Sequence, residues 1–243
     1  MDEGEDYGKY KDKSLKEVFT HIKSLAKIIK KYHNHGYLHL DIKPENIFIL
    51  PESAEHILLF DFDSVTTTDE LVESGKNGLS FSKGFSAPEQ IQGNIRKMGF
   101  HTDIYSIGAV LFYKIFGRTA DISDCRISSV YEYDKMQFAS EKYQPVIYRE
   151  ITAFLKNTLS TATASRWQEI TLVIDKLDKL IRLSDINGVY LLDSFQYNSA
   201  YFIGREDELS DIDKILFDNQ LVFLSGMGGI GKTETAKQYA ARY

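Results

Sequence analysis

An acid, an ammonium and an amide stand at fixed offsets in His39-Leu40-Asp41-Ile42-Lys43-Pro44-Glu45-Asn46. Lys43 follows Asp41 by two residues and Asn46 follows it by five. This set suits phosphoryl transfer. A carboxylate at Asp41 orients a hydroxyl nucleophile and accepts its proton. An ammonium at Lys43 steadies the moving phosphoryl charge, and an amide oxygen at Asn46 helps hold a magnesium ion. Downstream, the apolar runs 47–50 and 57–60 flank a turn at Pro51-Glu52-Ser53. They read as a hairpin with Asp61 at its exit.

A separate set lies near the other end. Gly226-Met227-Gly228-Gly229-Ile230-Gly231-Lys232-Thr233 fits G-x-x-x-x-G-K-[ST]. Residues 221–224 before it are apolar enough for a buried strand, and a helix is expected after it. Gly226, Gly228, Gly229 and Gly231 let backbone N–H groups surround phosphates, with help from the helix N-terminus. Lys232 would reach the outer phosphates and Thr233 would ligate magnesium.

Helices must position these loops. Ser14 and Glu17 form an S-x-x-E capping box that opens a helix. Its apolar face is Leu15, Val18, Phe19, Ile22, Leu25, Ala26 and Ile29, and Gly36 suits its end. Lys23, Lys27 and Lys31 read as a solvated face. Residues 1–13 are polar and read as loop. Ile107, Val110, Leu111, Phe112 and Ile115 predict a largely buried helix ending near Gly117. Ile151, Phe154 and Leu155 suggest another, and Leu172, Val173, Leu177, Leu180 and Ile181 a last one. Leu209, Ile212, Ile215 and Leu216 give a short amphipathic helix over 205–217.

The stretch from His39 to Asn46 resembles the catalytic loop of the protein kinases, H-R-D-x-x-x-x-N, in its serine/threonine form. Leu40 stands where most kinases carry arginine. Asp61-Phe62-Asp63 resembles the D-F-G element, with Asp63 in place of glycine, and the resemblance implies Asp61 as a second magnesium ligand beside Asn46. Residues 64–86 hold the position of the activation segment and show little periodicity. Thr66, Thr67, Thr68, Ser80 and Ser82 are its candidate phosphorylation sites, although Leu40 cannot pair with a phosphate there. Ala87-Pro88-Glu89 resembles the A-P-E element. Asp103 resembles the helix aspartate that holds the catalytic-loop backbone. Arg166 resembles the late arginine that pairs with Glu89. Phe202-Ile203-Gly204-Arg205-Glu206 and the glycine-rich loop together resemble the start of a STAND-type signalling ATPase of the NB-ARC and NACHT-like class.

These resemblances imply a mainly α fold, a kinase-like C-terminal lobe over 1–183. A linker at 184–200 and a truncated α/β P-loop unit at 201–243 follow. They imply ATP and Mg2+ as cofactors, a protein substrate carrying serine or threonine, and oligomerisation through the absent remainder of the ATPase. No G-x-G-x-x-G precedes Asp41, so the chain reads as a fragment, a kinase large lobe without its small lobe. A non-catalytic kinase-like docking module and a nucleotide switch governed by 201–243 are the alternative readings.

Composition sets outer bounds. The chain has 243 residues, 43% apolar and 26% charged, as in a soluble globular protein. A net charge of −6 gives no reason to expect nucleic acid. Cys125 is the single cysteine, which suits a reducing, cytoplasmic setting. The acidic N-terminus is not a signal peptide. The most apolar stretch, 104–116, is interrupted by Ser106 and Lys114 and is too short to span a bilayer.

Overall fold

The computed structural model describes residues 4–50, 57–74, 81–126, 131–139, 143, 145–185, 204–218, 222, 224–227 and 229–242. The chain divides into two compact units, 1–186 and 187–243. The first unit contains β1 (Glu5–Asp6), α1 (Leu15–Asn34), β2 (Tyr37–Leu38), β3 (Ile47–Ile49), β4 (Ile57–Leu59) and β5 (Thr66–Thr67). It continues with α2 (Thr68–Ser74), α3 (Pro88–Ile91), α4 (Phe100–Phe116), α5 (Pro145–Leu159) and α6 (Ile170–Asp185). The second unit holds α7 (Glu206–Asp218) and α8 (Lys232–Arg242).

The first unit is built around α1 and α4. The Ser14 hydroxyl accepts the Glu17 N–H at 3.2 Å, starting α1. The return bond of the capping box is not made. Glu17 instead accepts from the Lys13 N–H and the Tyr10 hydroxyl, which reach its carboxylate from the preceding segment. The expected apolar face of α1 is buried and packs on α6 and α4. Gly36, at φ +80°, lets the chain leave the helix in the left-handed region. Lys23 of α1 departs from the solvated reading, pairing with Asp178 of α6.

Helix α4 is buried along nearly its whole length, and each fully buried Leu or Ile is worth roughly 1.5–3 kcal/mol. Gly108 has a packing reason. A Cβ there would meet Thr158 Oγ1 at 2.2 Å, so the glycine permits the close approach of α4 and α5. Gly117 closes α4 at φ +68°.

Lys114 does more than interrupt an apolar run. Its buried ammonium donates to the carbonyls of Tyr7 and Tyr10 and faces Asp12 Oδ2 at 2.9 Å. The other Asp12 oxygen meets His21 Nδ1 at 2.7 Å. The polar segment before α1 is thus tied into the core, and β1 pairs antiparallel with β3. Its composition suggested a loop because its anchors are a buried ion pair and a single core side chain, Tyr7, with no apolar periodicity.

The three-stranded sheet has the order β1-β3-β4, with Ile47 opposite Leu59 and Ile49 opposite Ile57. This is the expected hairpin; its turn at 51–53 lies outside the described residues. A second pair, β2 with β5, sets Tyr37 against Thr67. Residues 64–86 are not uniformly irregular, since they include β5 and α2. Among the described residues, no helix is long and apolar enough to cross a membrane.

In the second unit, Leu209 and Ile212 of α7 are buried, whereas Ile215 is exposed. The strand expected at 221–224 does not form at its described positions, Val222 and Leu224. A strand needs a hydrogen-bonded neighbour, and no strand is described in this unit. Helix α6 extends through Ser184 and Asp185, which had been assigned to the linker; residues 186–203 lie outside the described set.

Candidate active site

The loop from His39 to Asn46 hangs from the start of α4. Asp103, fully buried, accepts the His39 N–H on Oδ2 and the Leu40 N–H on Oδ1, each at 2.9 Å. His33 Nε2 also meets Oδ2 at 2.9 Å. The role expected for Asp103 is therefore realised in its geometry. Leu40 has φ +63°, a conformation that costs a non-glycine residue about 1–3 kcal/mol unless its surroundings enforce it. Here they do. The Leu40 carbonyl accepts from Gln90 Nε2 at 2.6 Å. Its side chain is buried with Leu38, Leu71 and Met98.

Three side chains converge on Asp41. Lys43 Nζ donates to Oδ2 at 2.6 Å, and Asn46 Nδ2 to the same oxygen at 3.0 Å. Ser82 Oγ donates to Oδ1 at 2.7 Å. Burial pushes the Asp41 carboxyl up, but the hydrogen bonds from Lys43, Ser82 and Asn46, with the Lys43 charge, outweigh it. The net shift is downward, so the carboxylate is the stable form at neutral pH. Burial lowers the pKa of His39 despite nearby Asp103, Asp41 and Asp61. A neutral imidazole that accepts the Asp41 N–H on Nδ1, at 3.4 Å, carries its proton on Nε2. That is a structural role, as expected for His39.

The hairpin delivers Asp61 beside this loop. The Phe60 N–H donates to the Asn46 carbonyl at 2.8 Å. Asp61 is exposed and sits at φ +65°. Phe62 stacks on Tyr32 at 6.2 Å and sets an edge to His39 at 5.9 Å. Asn46 Nδ2 is committed to Asp41, to its carbonyl at 2.9 Å as well as its carboxylate, which leaves the amide oxygen as the free end. An amide oxygen and an exposed carboxylate are hard donors of the kind magnesium takes, with phosphate and water completing the set. The residues present therefore fit a magnesium–nucleotide ligand.

Behind the loop, Glu89 and Arg166 form the expected buried pair, bidentate at 2.7 and 2.8 Å. Thr102 also donates to Glu89, at 3.0 Å. Trp167 is half-buried and packs edge-on to Phe154, as its core reading required.

The glycine-rich loop belongs to the second unit. Gly226, Gly229 and Gly231 have φ of +153°, +80° and +88°, backbone that favours glycine; Gly228 lies outside the described residues. Lys232 Nζ donates to the carbonyls of Gly226 and Met227, each at 2.8 Å, so the ammonium sits at the mouth of the loop. Thr233 is exposed in the first turn of α8. Arg205, at φ +66°, donates to the Ile230 carbonyl and to Thr235 Oγ1. Glycine backbone, an ammonium and a helix N-terminus together fit an anion such as a phosphate.

Two contacts were not foreseen. Ser82 was singled out only as a phosphorylation candidate, and Gln90 not at all. Each lies close to the A-P-E element, five residues before Ala87 and one after Glu89. That proximity was the available signal. Of the other phosphorylation candidates, Thr66, Thr67 and Thr68 lie in β5 and at the start of α2, and Ser80 is outside the described residues.

A helical unit that suspends an Asp-Lys-Asn loop from a buried aspartate, with a hairpin bringing a second acid beside it, has the architecture of a protein kinase large lobe. Residues 4–176 match the protein kinase domain, most of the chain, and the chain belongs to that family. Serine/threonine-protein kinase D of Synechocystis is 36% identical over 107 residues, 42% of this chain and 20% of that protein. Human death-associated protein kinase 2 is 26% identical over 188 residues, 72% of this chain and 49% of that protein. Smooth-muscle myosin light chain kinase of Gallus gallus is 29% identical over 110 residues, 45% of this chain and 6% of that protein. The chain thus spans half or less of the length of these relatives.

Proposed function

We propose that this chain is the large lobe of a serine/threonine protein kinase, whose reaction is transfer of a phosphoryl group from ATP to a protein hydroxyl. The observation that carries the reading is the Ser82 hydroxyl donating to Asp41 Oδ1 at 2.7 Å while Lys43 holds Oδ2. That is the posture a substrate hydroxyl needs, and a carboxylate oxygen has lone pairs for a second donor. Asp41 orients the incoming hydroxyl and takes its proton. Lys43, beside it, faces the developing charge. Asn46 and Asp61 would hold magnesium through oxygen. When bound, ATP with magnesium supplies the phosphoryl group and neutralises its charge.

In this reading the large lobe runs through the end of α6 at Asp185, a linker leads on to residue 200, and 201–243 is the first part of a STAND-type ATPase unit in a multidomain cytoplasmic signalling protein. The parent couples kinase output to a nucleotide-driven sensor and oligomerises through the ATPase. Asp41→Asn in the full-length protein is expected to lower phosphate transfer to a generic substrate by about 10²–10⁴-fold. An unchanged rate sinks the reading. The isolated 243-residue chain is expected to turn over little, and robust activity from it would remove the fragment interpretation.

A second reading, a nucleotide switch, draws on the glycine conformations and on Lys232 at the loop mouth. It requires ATP binding that Lys232→Ala abolishes while Asp41→Asn leaves it intact.

A further inference from the structure

Leu40 is the joint on which Asp41 turns, and both of its backbone polar groups are held by side chains from elsewhere. Asp103 takes its N–H and Gln90 supplies the donor for its carbonyl at 2.6 Å. Gln90 is itself buried and rides on α3, next to Glu89. Glu89 is clamped by Arg166 and Thr102. A continuous set of hydrogen bonds and one helical turn therefore runs from Arg166 through Glu89 and Gln90 to Leu40, the residue before Asp41.

We infer that Gln90 is a positioning residue for the catalytic loop. It fixes the Leu40 peptide in its left-handed conformation and so aims the Asp41 carboxylate. This gives the buried Glu89–Arg166 pair a second consequence, since it places the helix that delivers Gln90. The inference rests on the kinase reading for its effect on rate and on the hydrogen bond alone for its effect on the loop. Without the Gln90 donor, the Leu40 carbonyl is buried and unpaired, and the strained φ loses one of its restraints. The side chain of Leu40 still packs with Leu71 and Met98, so the fold persists while the loop loosens.

The test has two arms. In the 243-residue chain, Gln90→Met keeps length and removes the donor. Amide exchange at residues 39–42 is expected to rise about fivefold to tenfold, with α4 residues 104–112 within about twofold of the unmutated chain. No rise at 39–42, or the same rise throughout α4, overturns the inference. If Gln90→Met does not fold, Gln90→Leu serves in its place, because it too offers the Leu40 carbonyl no donor. In the full-length protein the same variant is expected to lower kcat about fivefold to tenfold and leave KM for ATP within about twofold. Faster local exchange with unchanged kcat also overturns the inference. Asp41→Asn is run beside it. If that variant keeps full activity the kinase reading falls, and the exchange arm alone then decides whether Gln90 sets the loop.

Discussion

The two loops with nucleotide-binding composition are held in different ways. The Asp41 loop is pinned by distant residues, with Asp103 on its backbone, Gln90 on the Leu40 carbonyl and Ser82 on the carboxylate. The loop at 226–233 holds itself. Lys232 bonds to carbonyls of its own loop, and Arg205 is the side chain from another segment seen to brace it. Its glycines adopt left-handed backbone that glycine accepts freely, whereas Leu40 is held there by Asp103 and Gln90. A loop enforced from outside ties its geometry to the stability of a whole unit. A loop built on glycine is locally permitted and changes shape at little cost. Substitutions around the first should therefore be felt throughout its unit, and substitutions in the second only locally.

The largest effect is expected at Glu89. Glu89→Gln leaves the Arg166 guanidinium buried against a neutral partner, and a cost of about 3–5 kcal/mol is expected. Both side chains are almost fully buried, so solvent offers the stranded charge no relief. The denaturant midpoint of the first unit measures it. The double variant Glu89→Leu with Arg166→Met should recover most of the loss, because two well-packed apolar residues can replace a buried pair. A single-variant cost below about 1 kcal/mol would mean that α3 is not anchored by this pair.

Next comes Leu40→Arg, which installs the residue expected from the kinase resemblance. Its side chain would enter the cluster of Leu38, Leu71 and Met98. A loss of about 2–4 kcal/mol is expected, from broken packing and an unpaired charge. No gain in phosphate transfer should accompany it. A stable variant whose activity rises on activation-segment phosphorylation would show that the apolar cluster is dispensable.

A smaller effect concerns pH. The folded pKa of Asp41 lies below its ordinary value, and so does that of Glu150. For Glu150, burial acts upward but is outweighed by the hydrogen bonds from Lys176 and Lys179. A depressed carboxyl stabilises the fold above its unfolded value, near 4, and that contribution is lost as pH falls through the lower folded value. Melting temperature should stay level from neutrality to about pH 5 and fall below about pH 4. Glu150→Gln should flatten part of that fall, and an unaltered acid limb would remove Glu150 from the account.

How much of this was legible follows from where each determinant lies. The α1 face and the end of α4 at Gly117 could be read from residue type and order, whereas the tether at Asp103 and the Glu89–Arg166 pair were implied by the resemblance to the protein kinases. Helix α2 was missed although its signal was local. Thr67 and Glu70 form a reciprocal cap, with the Glu70 N–H on the Thr67 hydroxyl at 3.2 Å and the Thr67 N–H on the Glu70 carboxylate at 2.8 Å. The surrounding threonines and serines hid it. Lys114 with Asp12, and Ser82 with Asp41, depend on chain segments that meet only after folding. The absence of the expected strand at Val222 and Leu224 has the opposite reason. Its apolar run was evident, but a strand is made by its neighbour.

The smallest effect on stability is expected at Lys232, and it tests the contrast between the loops most directly. Among the described residues, its ammonium bonds only to carbonyls of its own loop. Lys232→Ala should leave the melting of the first unit within about 0.5 kcal/mol. It should nevertheless remove binding of a nucleoside triphosphate at the glycine-rich loop, because the glycine backbone then presents its N–H groups without the cation that faces the outer phosphates. Calorimetry of the full chain and nucleotide titration read the two quantities separately. A drop of more than about 2 kcal/mol in the first unit would mean that its stability depends on the glycine-rich loop, and the distinction between an enforced loop and a self-held one would fail.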